Sequence, residues 1–285
     1  MRYEESPEDM IIVFDGFNDP GRGAAIAVEY LLENCPHMKI AEIDGDDYLD
    51  LRYDRPEVVL DEDGERRIKW PQTAIYVAYL DNLKAGSSKP APVFIVHGFE
   101  PMFKWKEYTK EILSEAYFYD IKRVITMGSM LSDVPHTRQM NVTETANGIG
   151  DPFDEKYEGI TGILGAFAYS AYKRGYTTKS LWVTAPHYLP KAPSPKSALA
   201  LIHKLEEVLN ITIPTTDLLD FVEKWEDDVD ELIEESGEIA EYVEKLETEK
   251  DKQDLKDATA DSIALEFERY LRHYQEKRPS NEHKE

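Results

Sequence analysis

The chain has 285 residues, 41% of them hydrophobic, enough to bury a sizeable core, and no run approaches the ~18 apolar residues of a membrane span. Its 57 acidic and 33 basic side chains leave a formal charge of -24, which argues against nucleic acid and anionic membranes as partners, since both recruit cations. One cysteine, Cys35, excludes an intramolecular disulfide and a multi-cysteine zinc site; a reducing, cytoplasmic compartment is the expectation.

The opening ten residues are acidic and polar, unlike a secretory signal. Residues 10–14, Met-Ile-Ile-Val-Phe, predict a buried strand. A glycine-rich loop follows (Gly16, Gly21, Gly23, with Pro20), then a helix with Ala24, Val28, Leu31 and Leu32 at helical spacing. Cys35 stands at its expected end, before Pro36, and reads as a buried inert thiol. Residues 39–44 predict a second strand. Alternation on both sides of Asp63-Gly64 predicts a β-hairpin. Residues 74–80 and 93–96 predict two more strands, the latter the most apolar of all. A helix is predicted over 103–118, with Trp105, Tyr108, Ile112 and Ala116 on one face. A strand over 124–127, a helix over 160–172 and a strand over 181–183 come next. Ser194 before Pro195 marks a capped helix start, with an apolar stripe of Leu201, Leu205, Val208 and Leu209.

Strands alternating with helices imply βαβ units and a three-layer α/β/α sandwich; the hairpin suggests a mixed sheet. Beyond Pro214 the composition changes. Residues 217–285 hold 24 acidic and 10 basic side chains. Apolar residues there recur at three and four, in sets around Leu218 to Ile233, Ile239 to Leu246, and Ile263 to Tyr274. The sequence therefore divides into an α/β domain (1–213), an acidic α-helical extension (214–276) and a disordered tail (277–285). The extension should pack against its own α/β domain or against another subunit, because isolated amphipathic helices are marginal.

Four loops carry candidate chemistry. The first holds Asp15, Asn18, Asp19 and Arg22 between a strand and a helix N-terminus, where anions bind. It lacks the Gly-Lys-Ser/Thr of a P-loop, and its aspartates sit where a phosphate would. It reads either as a phosphate site or as a tight turn. The second, His97-Gly-Phe-Glu100-Pro, offers an acid/base pair in His97 and Glu100, or a turn into the next helix. The third, residues 129–138, presents His136 and Arg138 to an anion or carbonyl, or to another subunit. The fourth holds His187. It could join His97 and His136 at one rim, yet the spacings match no metal motif. No metal and no cofactor are expected, and no nucleophile elbow, zincin or kinase motif is present.

Taken in order, these stretches resemble the PAC2 (proteasome assembly chaperone 2-like) family, bacterial branch. The residues that carry the resemblance are Gly16-Phe-Asn-Asp, Gly98-Phe-Glu-Pro with Trp105, and Asp133-Val-Pro-His-Thr-Arg138. Thr143-x-Thr-Ala146, Pro186-His-Tyr-Leu189 and residues 195–209 complete the set. The chain departs from the pattern at Gln139, Asn141 and Glu144. The resemblance implies a phosphorylase/hydrolase-like fold, homo-oligomers, and a non-catalytic scaffold or assembly chaperone with a protein partner. The alternative is an enzyme or binding protein for nucleoside-like or phosphate-containing molecules, acting through the strand-end loops.

Overall fold

In the computed structural model, residues 7–61, 63–80, 91–147 and 158–257 are described. The apolar run at 10–14 forms the middle of a strand, β1 (Asp9–Asp15), and all five side chains are fully buried. Burying each contributes ~1.5–3 kcal/mol, and a strand so treated must be covered on both faces. The first helix, α1 (Gly23–Asn34), leads to β2 (His37–Asp44), β3 (Glu57–Leu60), β4 (Arg66–Lys69), β5 (Gln72–Leu80) and β6 (Ala91–Phe99). Helix α2 (Trp105–Phe118), β7 (Arg123–Ser132), β8 (Val142–Ala146), α3 (Ile163–Lys173), β9 (Thr177–Pro186) and α4 (Pro195–Leu209) follow. The last described elements are α5 (Thr216–Glu234) and α6 (Gly237–Asp257).

Seven strands make one sheet in the order β2-β5-β6-β1-β7-β9-β8. β6, β1, β7 and β9 run parallel; β2, β5 and β8 are antiparallel to their neighbours. Strand alternation divides the core. Ile11 and Val13 face α1 and α4, while Met10, Ile12 and Phe14 face α2 and α3. The result is the expected three-layer sandwich with a mixed sheet.

Some local expectations need correction. The hairpin forms, as β3 and β4, but as a separate two-stranded sheet. Its Val58, Leu60 and Ile68 are exposed. The mixed character of the main sheet comes from β2, β5 and β8 instead. β8 carries half-buried, largely polar residues in its Val-Thr-Glu-Thr-Ala run, with Ala146 exposed, and so gave no apolar signal. Helix α2 starts at Trp105 and not at 103, because Lys104 adopts the left-handed conformation (φ 54°) that breaks helical continuity. Ser194 caps α4 as read, accepting a hydrogen bond from Ser197 N.

The acidic extension folds back on its own chain. Leu218 and Val222 of α5 join the core cluster of α1 and α4. Further along, Trp225, Val229 and Ile233 form a small cluster with Val243 of α6, flanked by Tyr188, Leu189 and Ala240. α6 runs without a break through 248–257. The expected third helical set and the expected disordered tail lie outside the described residues. Among the described residues, no helix is long and apolar enough to cross a membrane.

Candidate functional site

Four parallel strands place their carboxyl ends on one edge of the sheet, where ligands of open α/β sheets bind. The loops leaving β1, β6, β7 and β9 carry the candidate residues, and hydrogen bonds sort these residues into two clusters.

The first cluster arises because β1 and β6 are neighbours, with Val13 in register with His97. His97 Nε2 lies 3.3 Å from Asp15 Oδ2. That nitrogen is buried and out of line for a hydrogen bond. Burial alone would raise the Asp15 carboxyl; the His97 ring, with the charges of Arg22 and Lys69, outweighs burial and holds it below its usual value. Arg22 Nη2 is 2.6 Å from Glu29 and 3.8 Å from Asp15. Glu100 turns away from His97 to the first loop. It accepts from Phe17 N (2.7 Å) and from Asn18 Nδ2 (2.9 Å). Across the loop, Gly162 packs so closely that an added Cβ would sit 2.2 Å from Asn18 Oδ1.

Asp19 decides what the α1 N-terminus can bind. Its carboxylate accepts from Ala24 N (3.0 Å) and Ala25 N (2.8 Å), and from the Ser129 hydroxyl. These are the orphan N–H groups that would otherwise receive an anion. A phosphate there would have to displace a carboxylate that is 4% exposed. Burial pushes the Asp19 carboxyl above its usual value, against these three bonds. Asp19→Ala would strand two buried backbone donors and the buried Ser129 hydroxyl, and a loss of ~2 kcal/mol is expected in urea unfolding. Asp19→Asn, which keeps an acceptor, should lose less. The sign with pH follows from the raised value. The native state holds the proton more readily than the unfolded chain, so the wild-type margin over Asp19→Asn shrinks as pH rises from 3.8 through the folded value. A margin that grows with pH would contradict this.

The second cluster surrounds residues 133–138. His136 is 1% exposed. Its Nε2 is 2.8 Å from Asp230 on α5, and its Nδ1 is 2.9 Å from the Tyr188 hydroxyl, which also accepts from His136 N. A carboxylate only accepts, so Nε2 carries a proton towards Asp230; in the neutral ring, Nδ1 then receives the Tyr188 O–H. Burial pushes the Tyr188 hydroxyl up to about 12. Lys196 on α4 donates to His136 O and pairs with Glu226. Arg138 makes a two-pronged bond to Asp251 of α6 (2.7 and 3.1 Å) and lies 3.5 Å from Glu247. His187 Nδ1 is 3.2 Å from Asp133.

The sequence-derived residues thus divide. Asp15, Asn18, Arg22, His97 and Glu100 come together, with Asp19 behind them. His136, Arg138 and His187 gather under α5 and α6. Asp230, Glu247 and Asp251 are not singled out by the sequence, and Tyr188 and Ser129 lie inside the quoted stretches without a role of their own. The three acids lie roughly 90 to 115 residues from their partners and look like any other solvated charge. Asp19 as a cap was legible in principle, an aspartate just before a helix start. A cleft of ≈ 280 Å³ opens between residues 139–142 and α4, lined by Lys196, Leu199 and His203 among others. Among the described residues, no group of three or more His, Cys, Asp or Glu could hold a metal ion.

A model of the PAC2 family matches residues 13–233. A PAC2 family protein from Streptomyces avermitilis is 34% identical, with 82% of this chain and 99% of that one covered and a TM-score of 0.72. A proteasome-assembly chaperone homologue from Mycobacterium tuberculosis is 32% identical over the same shares, with a TM-score of 0.71. An archaeal proteasome activator from Pyrococcus furiosus shares the fold at 16% identity, covering 81% of this chain and 96% of its own, with a TM-score of 0.62. No curated protein matches the chain.

Proposed function

Because the chain belongs to the PAC2 family, we propose that it works by binding other proteins, as a scaffold or assembly-chaperone-like module. We place it in the cytoplasm, as a homo-oligomer, with no cofactor. The observation that carries this reading is the engagement of the strand-end side chains with one another. Asp19 fills the α1 N-terminus, Glu100 ties down the first loop, and His136 is buried between Tyr188 and Asp230. A general base needs a path to a substrate proton, and His136 at 1% exposure has none. The naming of the Mycobacterium tuberculosis relative as a proteasome-assembly chaperone homologue points to the same class of partner.

The other reading, a nucleoside or phosphate enzyme or binding protein, draws on one observation: the Asp15–His97 pair, with its buried nitrogen lacking an aligned partner. One experiment separates the two. The purified protein is mixed with unassembled proteasome α-subunits of the same organism and run on size exclusion with light scattering. In parallel, nucleosides with inorganic phosphate are incubated with it and products separated by chromatography. The expected result is a defined complex and no turnover. Turnover lost in His97→Ala, with no complex at tens of micromolar, would overturn the interaction reading.

A further inference from the structure

Helix α6 lies outside the family match, which stops at residue 233. It covers the stretch 133–138 together with the aromatic Tyr188. Its hold is narrow: of its 21 residues, Val243 and Leu246 are the buried ones among those described. Beyond Leu246 the helix is held by polar side chains, Glu247 on Thr137 and Arg138, Asp251 on Arg138, and Lys250 on Asn141. By contrast, α4 buries eight residues. A helix held by few apolar contacts and many exposed polar ones opens at low cost, and the joint to α5 is two residues, Glu235 and Ser236.

The surface beneath α6 has a definite chemistry. Trp225, Val229 and Ile233 of α5, with Tyr188 and Leu189, make an apolar trough. Arg138 presents a planar cation at one end, and Asp133 takes the Tyr242 hydroxyl at the other. We propose that this trough is a docking groove for an acidic amphipathic helix of another protein, and that α6 occupies it in the partner's place until displaced. The occupant is specified by what α6 supplies. It needs small or branched apolar residues three apart, matching Ala240, Val243 and Leu246, and carboxylates four apart on the Arg138 side, matching Glu247 and Asp251. This deepens the interaction reading and rests on it. Helix-in-groove recognition uses the same elements, an apolar stripe for affinity and charge pairs for register.

The probe is a fluorescein-labelled peptide of residues 237–257, tested against full-length protein by fluorescence anisotropy. Val243→Asp with Leu246→Asp should loosen the resident helix and leave the trough intact. The labelled peptide should bind this variant at least tenfold more tightly than wild type, and adding Arg138→Ala should weaken it again by about tenfold. Equal binding to a variant that keeps its circular dichroism would overturn the proposal. If the double variant fails to fold, Asp251→Asn with Glu247→Gln in the full chain replaces it. Amide exchange in 237–257 should then be severalfold faster than in wild type, with 195–209 unchanged; an unchanged rate in 237–257 would refute a displaceable helix. The peptide reads this groove alone, so its failure leaves the α-subunit experiment above to judge the interaction reading.

Discussion

Tyr108→Ala is expected to cost about 3–5 kcal/mol, the range for emptying a large buried aromatic site. Tyr108 is fully buried. Its ring contacts those of Phe14, Tyr48 and Phe99 at centroid distances of 5.5, 4.9 and 5.5 Å. It is the point where α2 meets β1, β6 and the segment after β2. Domains are stable by only ~5–15 kcal/mol, so this substitution should take a large share of the total. Tyr108→Phe keeps the packing and loses the hydroxyl, which lies 2.5 Å from Thr73 Oγ1 and 3.2 Å from Phe99 O. About 1–2 kcal/mol is expected there. Chemical denaturation checks both. Equal losses would mean that the hydroxyl network, and not the ring, dominates.

Gly98→Ala should be nearly as damaging, at about 3 kcal/mol, the upper part of the overpacking range. An added Cβ would lie 2.4 Å from Thr73 Cα and 2.3 Å from its Oγ1. Thr73 cannot swing aside. Its backbone is in the β2–β5 ladder, opposite Ile43, and its hydroxyl is bonded to Tyr108. A melting temperature lower by roughly 6–12 °C is the readout. Gly237→Ala is the control, since a Cβ there meets nothing within 4 Å and alanine favours a helix start more than glycine does. It should be neutral or slightly stabilising. Because Gly98 and Tyr108 both act through Thr73, their effects should not add. Additive losses, or a Gly98→Ala protein melting within 2 °C of wild type, would show that the strands can part without cost.

Where one side chain pattern dominated, the fold was readable before any coordinates. The all-apolar run at 10–14 read as a buried strand, and Ser194-Pro195 as a capped helix start, and both hold. Where pairing rather than pattern decided, reading failed. β8 is a polar edge strand, so its existence depends on β9 beside it. The hairpin suggested the right sheet type from the wrong strands. At the site, the strand-end reading and the structure agree on the edge where the candidate loops gather and on Asp15 beside His97, while Glu100 and His136 join other partners. The sealing of His136 was invisible, because Asp230 is one acid among many on a helix whose docking no local signal specifies.

The place of β1 in the sheet has a consequence for biosynthesis. Among the described residues it is the earliest strand and yet the central one, flanked by β6 and β7. During translation its run of five apolar residues must wait until roughly 120 further residues have been made. At ~5–20 residues per second that is on the order of ten seconds. For roughly the first 85 of those residues, until β6 is made, Met-Ile-Ile-Val-Phe is an uncharged, strongly β-forming segment without a neighbour, and until β7 follows it has only one; that is the composition that drives cross-strand aggregation. The acids at Glu8, Asp9 and Asp15 stand on both sides of it, as gatekeepers do. Yield on overexpression should therefore depend on these flanking charges more than the finished fold does.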